Sequence, residues 1–326
     1  MIKHLHIENF KSIHSLNLDC GKINIFIGEP NAGKTNIIEA LSLTSPFQAK
    51  NISGIIRHKN LTDLFFDNNV SNKILIRYDS TELLIYFQDH ETPDFVFNYS
   101  SKNNPDIPLT ITHSESGIFS AGNYQDNQQT HFYKFKSDIE LNDKYPGYLH
   151  APHGNNLAQI IISNPGFRRL ATELFNSKGL MINVNPIERD ITISKIVDGS
   201  IFSYPYSNIS ETLKRIIFFM ACLETNQNKT LLFDEPEANT FPFYTKYLAE
   251  RIALDETNQY FFTTHNPYLL RSVVEKADKK DLRVIITYME EYETKIRVLN
   301  SDELSEILDT DIFFNLDLFL KDAANS

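Results

Sequence analysis

Residues 28–36 read Gly-Glu-Pro-Asn-Ala-Gly-Lys-Thr-Asn. Gly28, four residues and then Gly33-Lys34-Thr35 is the spacing of a loop that cradles phosphate. The glycines let the backbone turn tightly, so that its N–H groups point at phosphate oxygens. The helix that follows adds its positive N-terminal end. Such a loop needs a strand before it and a helix after it. Both are readable. "KINIFIG" is an apolar, strand-like run leading into the loop, and Ile37, Ile38 and Leu41 fall on one side of a helix. The chain is therefore expected to be α/β. Lys34 is placed to reach β- and γ-phosphates and the Thr35 hydroxyl to ligate Mg²⁺. Glu29, Pro30, Asn31, Ala32 and Asn36 complete the expected nucleotide-binding loop.

Three further stretches carry chemistry. In "TLLFDEPE" four residues bury a strand and Asp234 emerges at its C-terminal end, where a carboxylate can hold Mg²⁺ through water. Glu235 stands beside it, placed to polarise an attacking water. In "FFTTHNP", His265 ends another apolar strand. It reads either as a satisfied structural histidine or as a donor to the γ-phosphate. In "YSNISETLKRIIFF", Ser210 is set to cap a helix running to about Glu224. It serves that cap alone, or the capped end also offers an anion site. Lys34 and Asp234 lie two hundred residues apart. A large lobe must therefore be inserted between two halves of one sheet.

The remaining sequence fits this plan. The 326 residues suggest two lobes, and 41% hydrophobic with 22% charged residues is ordinary for a globular protein. The net charge of −11 gives no support for nonspecific nucleic-acid coating. It confines any DNA binding to one face or to a partner. No window approaches the roughly 18 apolar residues of a membrane span. The start, "MIKHLHIENF", lacks a signal-peptide core, so a cytoplasmic location is expected. Cys20 and Cys222 alone give no disulfide framework. "NKILIRYDSTELLIYFQ" reads as a hairpin turning at Asp79-Ser80-Thr81. Residues 89–148, rich in Asn, Asp, Ser and Pro, read as loops with short strands, an excursion from the main sheet. Two helices follow, with Gly179 at a C-cap position. "LMINV" and "DITISKIV" read as short strands, "KTLLFDE" and "QYFFTTH" as parallel strands buried on both faces, and "LRVIITY" and "TKIRVL" as a closing pair.

These motifs, in this order, resemble the ABC-type ATPase heads of the SMC, RecF and OLD group. "IKHLHIENFKSIHSLNL" is similar to their opening strand, where an N-F-K-S element precedes the loop. "DEPEANTFPFYTKYLAERIA" followed by "FFTTHNPYLL" looks most like the OLD-like ATPases of bacterial defence and repair loci. The resemblance covers residues 1–90 and 200–300. It implies a P-loop NTPase fold, an ABC-ATPase-like mixed sheet with flanking helices. An inserted α+β or helical lobe would take residues 91–199, and residues 301–326 would form a tail. It also implies ATP and Mg²⁺ as ligands, with Lys34 and Thr35 on phosphate and metal and Asp234 as the Walker B aspartate. Glu235 becomes the general base, His265 the switch histidine and Ser210 the signature serine. The signature departs from the family's Ser-Gly-Gly or Ser-Asp-Gly, reading Ser210-Glu211-Thr212, and no glutamine stands out as a Q-loop residue. Lys11 is a candidate phosphate contact. Arg57 is a candidate for an arginine-rich signalling loop or a surface salt bridge. Residues 91–200 are too short and aperiodic for a DNA-bridging coiled coil.

The resemblance further implies an ATP-dependent homodimer or higher oligomer. The tail bears on partners. OLD-like nucleases carry a TOPRIM domain after the ATPase, whereas about two dozen residues follow "TKIRVLN", fewer than the roughly 50 of a small domain. Asp309 and Asp311 form a D-x-D pair, read chiefly as a helix end before an amphipathic tail. Ile312, Phe313, Phe314, Leu316, Leu318, Phe319 and Leu320 need a surface to cover, on the head or on another protein. The expected function is thus an ATPase acting as motor or sensor for a separately encoded effector, a nuclease among the candidates. The alternatives are a nucleotide-dependent scaffold with vestigial turnover and a RecF-like DNA-repair ATPase.

Overall fold

The computed structural model describes residues 1–89, 94–101, 108–114, 117–122 and 130–321. The chain opens with the hairpin β1 (His4–Phe10) and β2 (Ile13–Asp19), then β3 (Ile23–Ile27) and α1 (Lys34–Ser42). Two short helices, α2 (Pro46–Lys50) and α3 (Ile52–Ile55), lead to β4 (Ile74–Tyr78), β5 (Thr81–Gln88), β6 (Asp94–Ser101), β7 (Leu109–Ser114), β8 (Gly117–Ala121) and β9 (Thr130–Tyr133). Next come α4 (Leu157–Ser163), α5 (Pro165–Asn176), β10 (Met181–Asn185), β11 (Asp190–Val197), β12 (Ser200–Pro205) and α6 (Glu211–Thr225). The chain then alternates through β13 (Thr230–Asp234), α7 (Pro242–Leu254), β14 (Gln259–Thr263), α8 (Pro267–Lys276) and β15 (Leu282–Glu290). It closes with β16 (Glu293–Val298), α9 (Ser301–Glu306) and α10 (Leu316–Lys321).

These strands build three sheets. The central one is mixed, in the order β16-β15-β3-β14-β13-β9. β15, β3, β14, β13 and β9 run parallel, and β16 closes antiparallel on β15. Its residues alternate between two cores, as the two-residue period of a strand requires. Phe26, Phe132, Leu232, Phe261 and Ile285 pack toward α1 and the antiparallel sheet β2-β1-β4-β5-β6-β7-β8. Ile25, Ile27, Tyr133, Leu231, Phe233, Tyr260 and Phe262 join the core that contains residues of α4 to α8. With both faces covered, no position is left for a solvated residue, which is why "LLFD" and "YFFT" read as continuous apolar runs. The third sheet, β10-β11-β12, stands apart from these two.

The stretch expected to leave the main sheet does so only in part, and where it leaves it forms regular strands of a second sheet. β6, β7 and β8 continue the antiparallel sheet begun at β1, and β9 is the outer strand of the mixed sheet. A boundary at residue 90/91 thus falls inside a sheet. The polar content of residues 89–148 hid strands that bury alternate side chains, among them Phe97, Tyr99, Leu109 and Ile111. Residues 90–93, 102–107, 115–116 and 123–129 lie outside the described residues.

The last segment packs on the head. Leu304, Ile307, Ile312, Leu316 and Phe319 belong to the core on the helical face, while Phe314 and Leu318 stay exposed. The Asp311 carboxylate accepts the Phe313 N–H at 3.0 Å, the contact of a local turn. Among the described residues no cluster of three or more His, Cys, Asp or Glu is placed to hold a metal ion. None of the described helices is long and apolar enough to cross a membrane.

Candidate functional site

β3, β14 and β13 are parallel neighbours, so their C-terminal ends lie on one edge of the sheet, where α/β proteins bind ligands. The phosphate loop leaves β3, Asp234 ends β13 and Thr263 ends β14. The backbone and its close neighbours fix the loop. Gly28 has φ +144°, and a Cβ there would lie 2.0 Å from the Thr287 carbonyl oxygen of β15. Gly33 has φ +90°, and its Cβ would lie 2.0 Å from Thr294 Oγ1 and 3.0 Å from Ser12 Oγ. Both positions exclude any side chain, by space as well as by conformation. Asn31 takes φ +63° at the exposed tip with Glu29 and Pro30, and Ala32 is buried beneath it. A polar triangle braces the loop from below. Asn36 Nδ2 donates to Ser12 Oγ at 2.7 Å, and Ser12 Oγ lies 2.6 Å from Thr294 Oγ1.

Lys34 is 6% exposed. Its ammonium donates to the carbonyls of Gly28 (2.9 Å) and Glu29 (2.6 Å), spanning its own loop. Burial pulls its pKa down to about 8 against the opposing pull of Glu235, Asp234 and Glu29. It remains chiefly charged at neutral pH.

The facing lip begins at Asp234. Its Oδ1 accepts from Thr35 Oγ1 at 3.0 Å and from Thr263 Oγ1 at 2.6 Å, with Thr263 the residue paired to it across the sheet. A hydroxyl and a carboxylate in contact are hard oxygen donors of the kind that share Mg²⁺ with substrate phosphates. Glu235 follows with φ +46°, in the left-handed region that a non-glycine residue enters only when held. It is held at both backbone groups. Its N–H donates to Thr263 Oγ1 at 3.0 Å, and its carbonyl accepts from Arg215 Nη2 at 2.6 Å. Arg215 also donates through Nε to the Pro236 carbonyl at 3.3 Å, and its guanidinium lies 5.2 Å and 5.6 Å from the Phe135 and Phe219 ring centres.

His265 Nε2 lies 3.2 Å from Glu235 Oε1, both side chains being partly exposed. Burial holds the imidazole below its ordinary range, Lys34 adds to this, and Glu235 and Asp234 oppose it. The neutral ring is thereby favoured at neutral pH. The chain after His265 is fixed by Asn266, whose side chain caps α8 by accepting the N–H groups of Tyr268 (2.9 Å) and Leu269 (3.2 Å).

Lys34, Thr35, Asp234, Glu235 and His265 thus come together. Ser210 does not join them within one chain. It is exposed and accepts the Leu213 N–H at 3.3 Å, a helix cap. Its helix meets the site through Arg215, and Thr212 Oγ1 donates to the Asn239 carbonyl at 3.1 Å. Lys11, a candidate phosphate contact, pairs instead with Glu39 at 2.5 Å. Arg57 reaches the same carboxylate at 3.2 Å. Glu39 is 1% exposed on α1 and needs these cations. The sequence reading missed Arg215, Thr263, Thr294 and Glu39. Thr263 carried a signal, standing at the end of an apolar strand just before the histidine. Arg215 and Glu39 had none, because their partners are distant in sequence.

A phosphate loop on a strand of the central parallel run, beside a strand-end aspartate on the same sheet edge, is the arrangement of a P-loop ATPase. The AAA ATPase domain family matches residues 1–170, just over half of the chain, and the chain belongs to this family. The solved SMC head bound to the C-winged helix domain of ScpA covers 93% of this chain and 99% of its own, with 14% identity and a TM-score of 0.52. The SMC head with an extended coiled coil bound to the C-terminal domain of ScpA, from Pyrococcus furiosus, covers 94% and 98%, with 13% identity and a TM-score of 0.51. At such identities the likeness is one of fold. An uncharacterized protein of Methanocaldococcus jannaschii, MJECL10, is 32% identical over 91 residues, covering 24% of this chain and 42% of that protein. The match thus spans less than half of that relative's length.

Proposed function

We propose that this chain binds ATP with Mg²⁺ and hydrolyses it to ADP and phosphate. The Thr35–Asp234 contact supports this reading most directly, because it joins the loop's hydroxyl to a carboxylate on another strand, 199 residues away. Mg²⁺, held by that pair, would neutralise charge on the β- and γ-phosphate oxygens. The chain's own groups do the rest. Loop amides and the α1 N-terminus receive the phosphates, and Lys34 exchanges its two loop carbonyls for phosphate oxygens. Glu235, partly exposed and held in one backbone conformation, takes the proton of the attacking water. His265, neutral and beside Glu235, donates to the γ-phosphate and reports its presence.

Ser210 stands on an exposed, capped helix end, a position suited to the phosphates of a second protomer. We place an ATP-dependent homodimer and a separate effector within the same proposal. The SMC heads similar in fold are solved with ScpA, which supports a protein partner for this fold. The OLD-like assignment, a bacterial defence role and DNA contact rest on the motif resemblance. The second reading, a scaffold with vestigial turnover, is favoured by Glu211, an acidic residue at the signature helix. Phosphate release by the purified chain tests the choice. Glu235→Gln should keep ATP bound and lower turnover at least about a hundredfold. Equal turnover in parent and variant would mean that Glu235 is not the base.

A further inference from the structure

The D-E-P-E turn carries three carboxylates, and hydrolysis uses two. Glu237, the third, is 5% exposed. Its Oε1 accepts from Thr264 Oγ1 at 2.5 Å. Its Oε2 is buried with no hydrogen-bond partner among the described residues. Thr264 is itself fully buried, and its Oγ1 accepts the Asn266 N–H at 3.0 Å. A half-satisfied carboxylate is costly inside a protein, and an apolar residue would fill the space more cheaply. Packing alone does not account for Glu237.

What it connects does account for it. Thr263 and Thr264 are consecutive, and neighbours in an extended chain point to opposite sides. Thr263 holds Asp234 on one side, and Thr264 holds Glu237 on the other. The turn that carries Glu235 is therefore tied at residues 234 and 237 to the segment that carries His265. The other ties of the turn, at Asp234 and at the Glu235 backbone, all lie at its first two residues, and the Glu237–Thr264 contact holds its far end. Glu235 Oε1 and His265 Nε2, 3.2 Å apart, stand on the two segments so joined.

We propose that Glu237 and Thr264 form a latch that positions the Glu235–His265 pair. Glu237 is a positioning residue, since among the described residues its side chain makes no hydrogen bond or ion pair with the phosphate loop. The latch deepens the hydrolytic reading and rests on it. Its signature is a split between binding and turnover. Thr264→Val and Glu237→Ala should each lower kcat about tenfold or more, the scale seen for outer groups that orient a reacting one. ATP affinity should stay within about twofold, because Lys34 and its loop are untouched. Thr264→Ser, which keeps the hydroxyl, should restore kcat. The double variant should be no slower than the slower single variant, because both changes open one contact. Unchanged kcat in Thr264→Val overturns the latch, and so does a loss of affinity that parallels the loss of kcat. If Glu237→Ala fails to fold, Thr264→Val, of the same shape as threonine, still decides. Amide hydrogen exchange separates the latch from the hydrolytic reading. Absence of turnover in the parent chain ends that reading alone. The latch then requires faster exchange in Thr264→Val at residues 235–239 and 265–268, with residues 28–36 unchanged. Equal exchange at those segments sinks it.

Discussion

The loop from Gly28 to Thr35 and the turns carrying Glu235 and His265 meet at the Thr35–Asp234 contact, yet they are held in different ways. The loop keeps its shape because a β-carbon at Gly28 or Gly33 would strike a neighbour at 2.0 Å. The facing turns keep theirs through side chains that arrive from elsewhere: Thr263 and Thr264 from the end of β14, and Arg215 from α6. A lip set by excluded volume tolerates no change and responds to no signal. A lip set by hydrogen bonds from a neighbouring helix moves when that helix moves. Under the proposed function, binding falls to the first lip and control of turnover to the second.

The largest expected effect breaks the first lip. Gly28→Ala places a β-carbon against the Thr287 carbonyl and forces alanine to φ +144°. Strain and overlap together should cost about 3 kcal/mol of stability. Thermal unfolding and binding of a fluorescent ATP analogue measure it, and both should fall together. A variant that binds ATP with parental affinity would show that the loop is less tightly confined than its contacts imply.

The second effect comes from the other lip and depends on pH. Glu237 is raised from an ordinary 4.5 to about 7, chiefly by burial and further by Glu235, while the Thr264 hydroxyl pulls it down. Arg215, whose guanidinium feels Glu237 as an opposite charge, faces it from α6. The folded chain holds this proton more tightly than the unfolded one. Its contribution is therefore fully present below pH 4.5 and is lost as pH rises through about 7. The loss should approach about 3 kcal/mol above that range, an upper figure. Glu237→Gln has no such proton to lose. Its stability relative to the parent should rise between about pH 5 and pH 8, as read by urea unfolding at several pH values. A constant difference across that range would mean that Glu237 is not perturbed in the folded chain.

How far these two lips were legible in the sequence follows from the same contrast. Glycine spacing is a record of backbone conformation, so Gly28, Gly33, Lys34 and Thr35 could be read directly, and apolar runs of strand length located β3, β13 and β14. Asp234, Glu235 and His265 were readable because they end those strands or follow their ends within two residues. The braces were not. Arg215 looks like any cation on an amphipathic helix until Glu235 and Phe135 are brought to it. The strands β6 to β8 were obscured for a related reason. Their alternation, as in "DFVFNYSS", is clear only within each strand, and the polar stretches around them dominated the composition of residues 89–148.

Arg215 sharpens the comparison with a moderate effect. Arg215→Met keeps much of the apolar stem between Phe135 and Phe219 but removes the donors to the Glu235 and Pro236 carbonyls. A charged donor lost from a half-buried carbonyl should cost about 2 kcal/mol. Because the carbonyl belongs to Glu235, turnover should fall while ATP affinity holds. If affinity falls with it, the helix bearing Ser210 supports both lips, and the assignment of control to one of them fails.

The smallest effect tests the first lip from beneath. Ser12 Oγ accepts from Asn36 and lies beside Thr294 Oγ1, whose position also confines Gly33. Ser12→Ala removes one partner from two side chains, Thr294 buried and Asn36 half-buried, while leaving Gly33 its forced conformation. Neutral hydrogen bonds of this kind contribute about 1 kcal/mol. The loop should keep its shape, because the Thr287 carbonyl and the Thr294 side chain still exclude every alternative. Stability should therefore fall by about 1 kcal/mol with ATP affinity changed by less than about threefold. A much larger loss of affinity would show that the polar triangle, and not excluded volume, shapes the phosphate loop. The two lips would then be built alike, and the division between binding and control would have to be sought elsewhere in the fold.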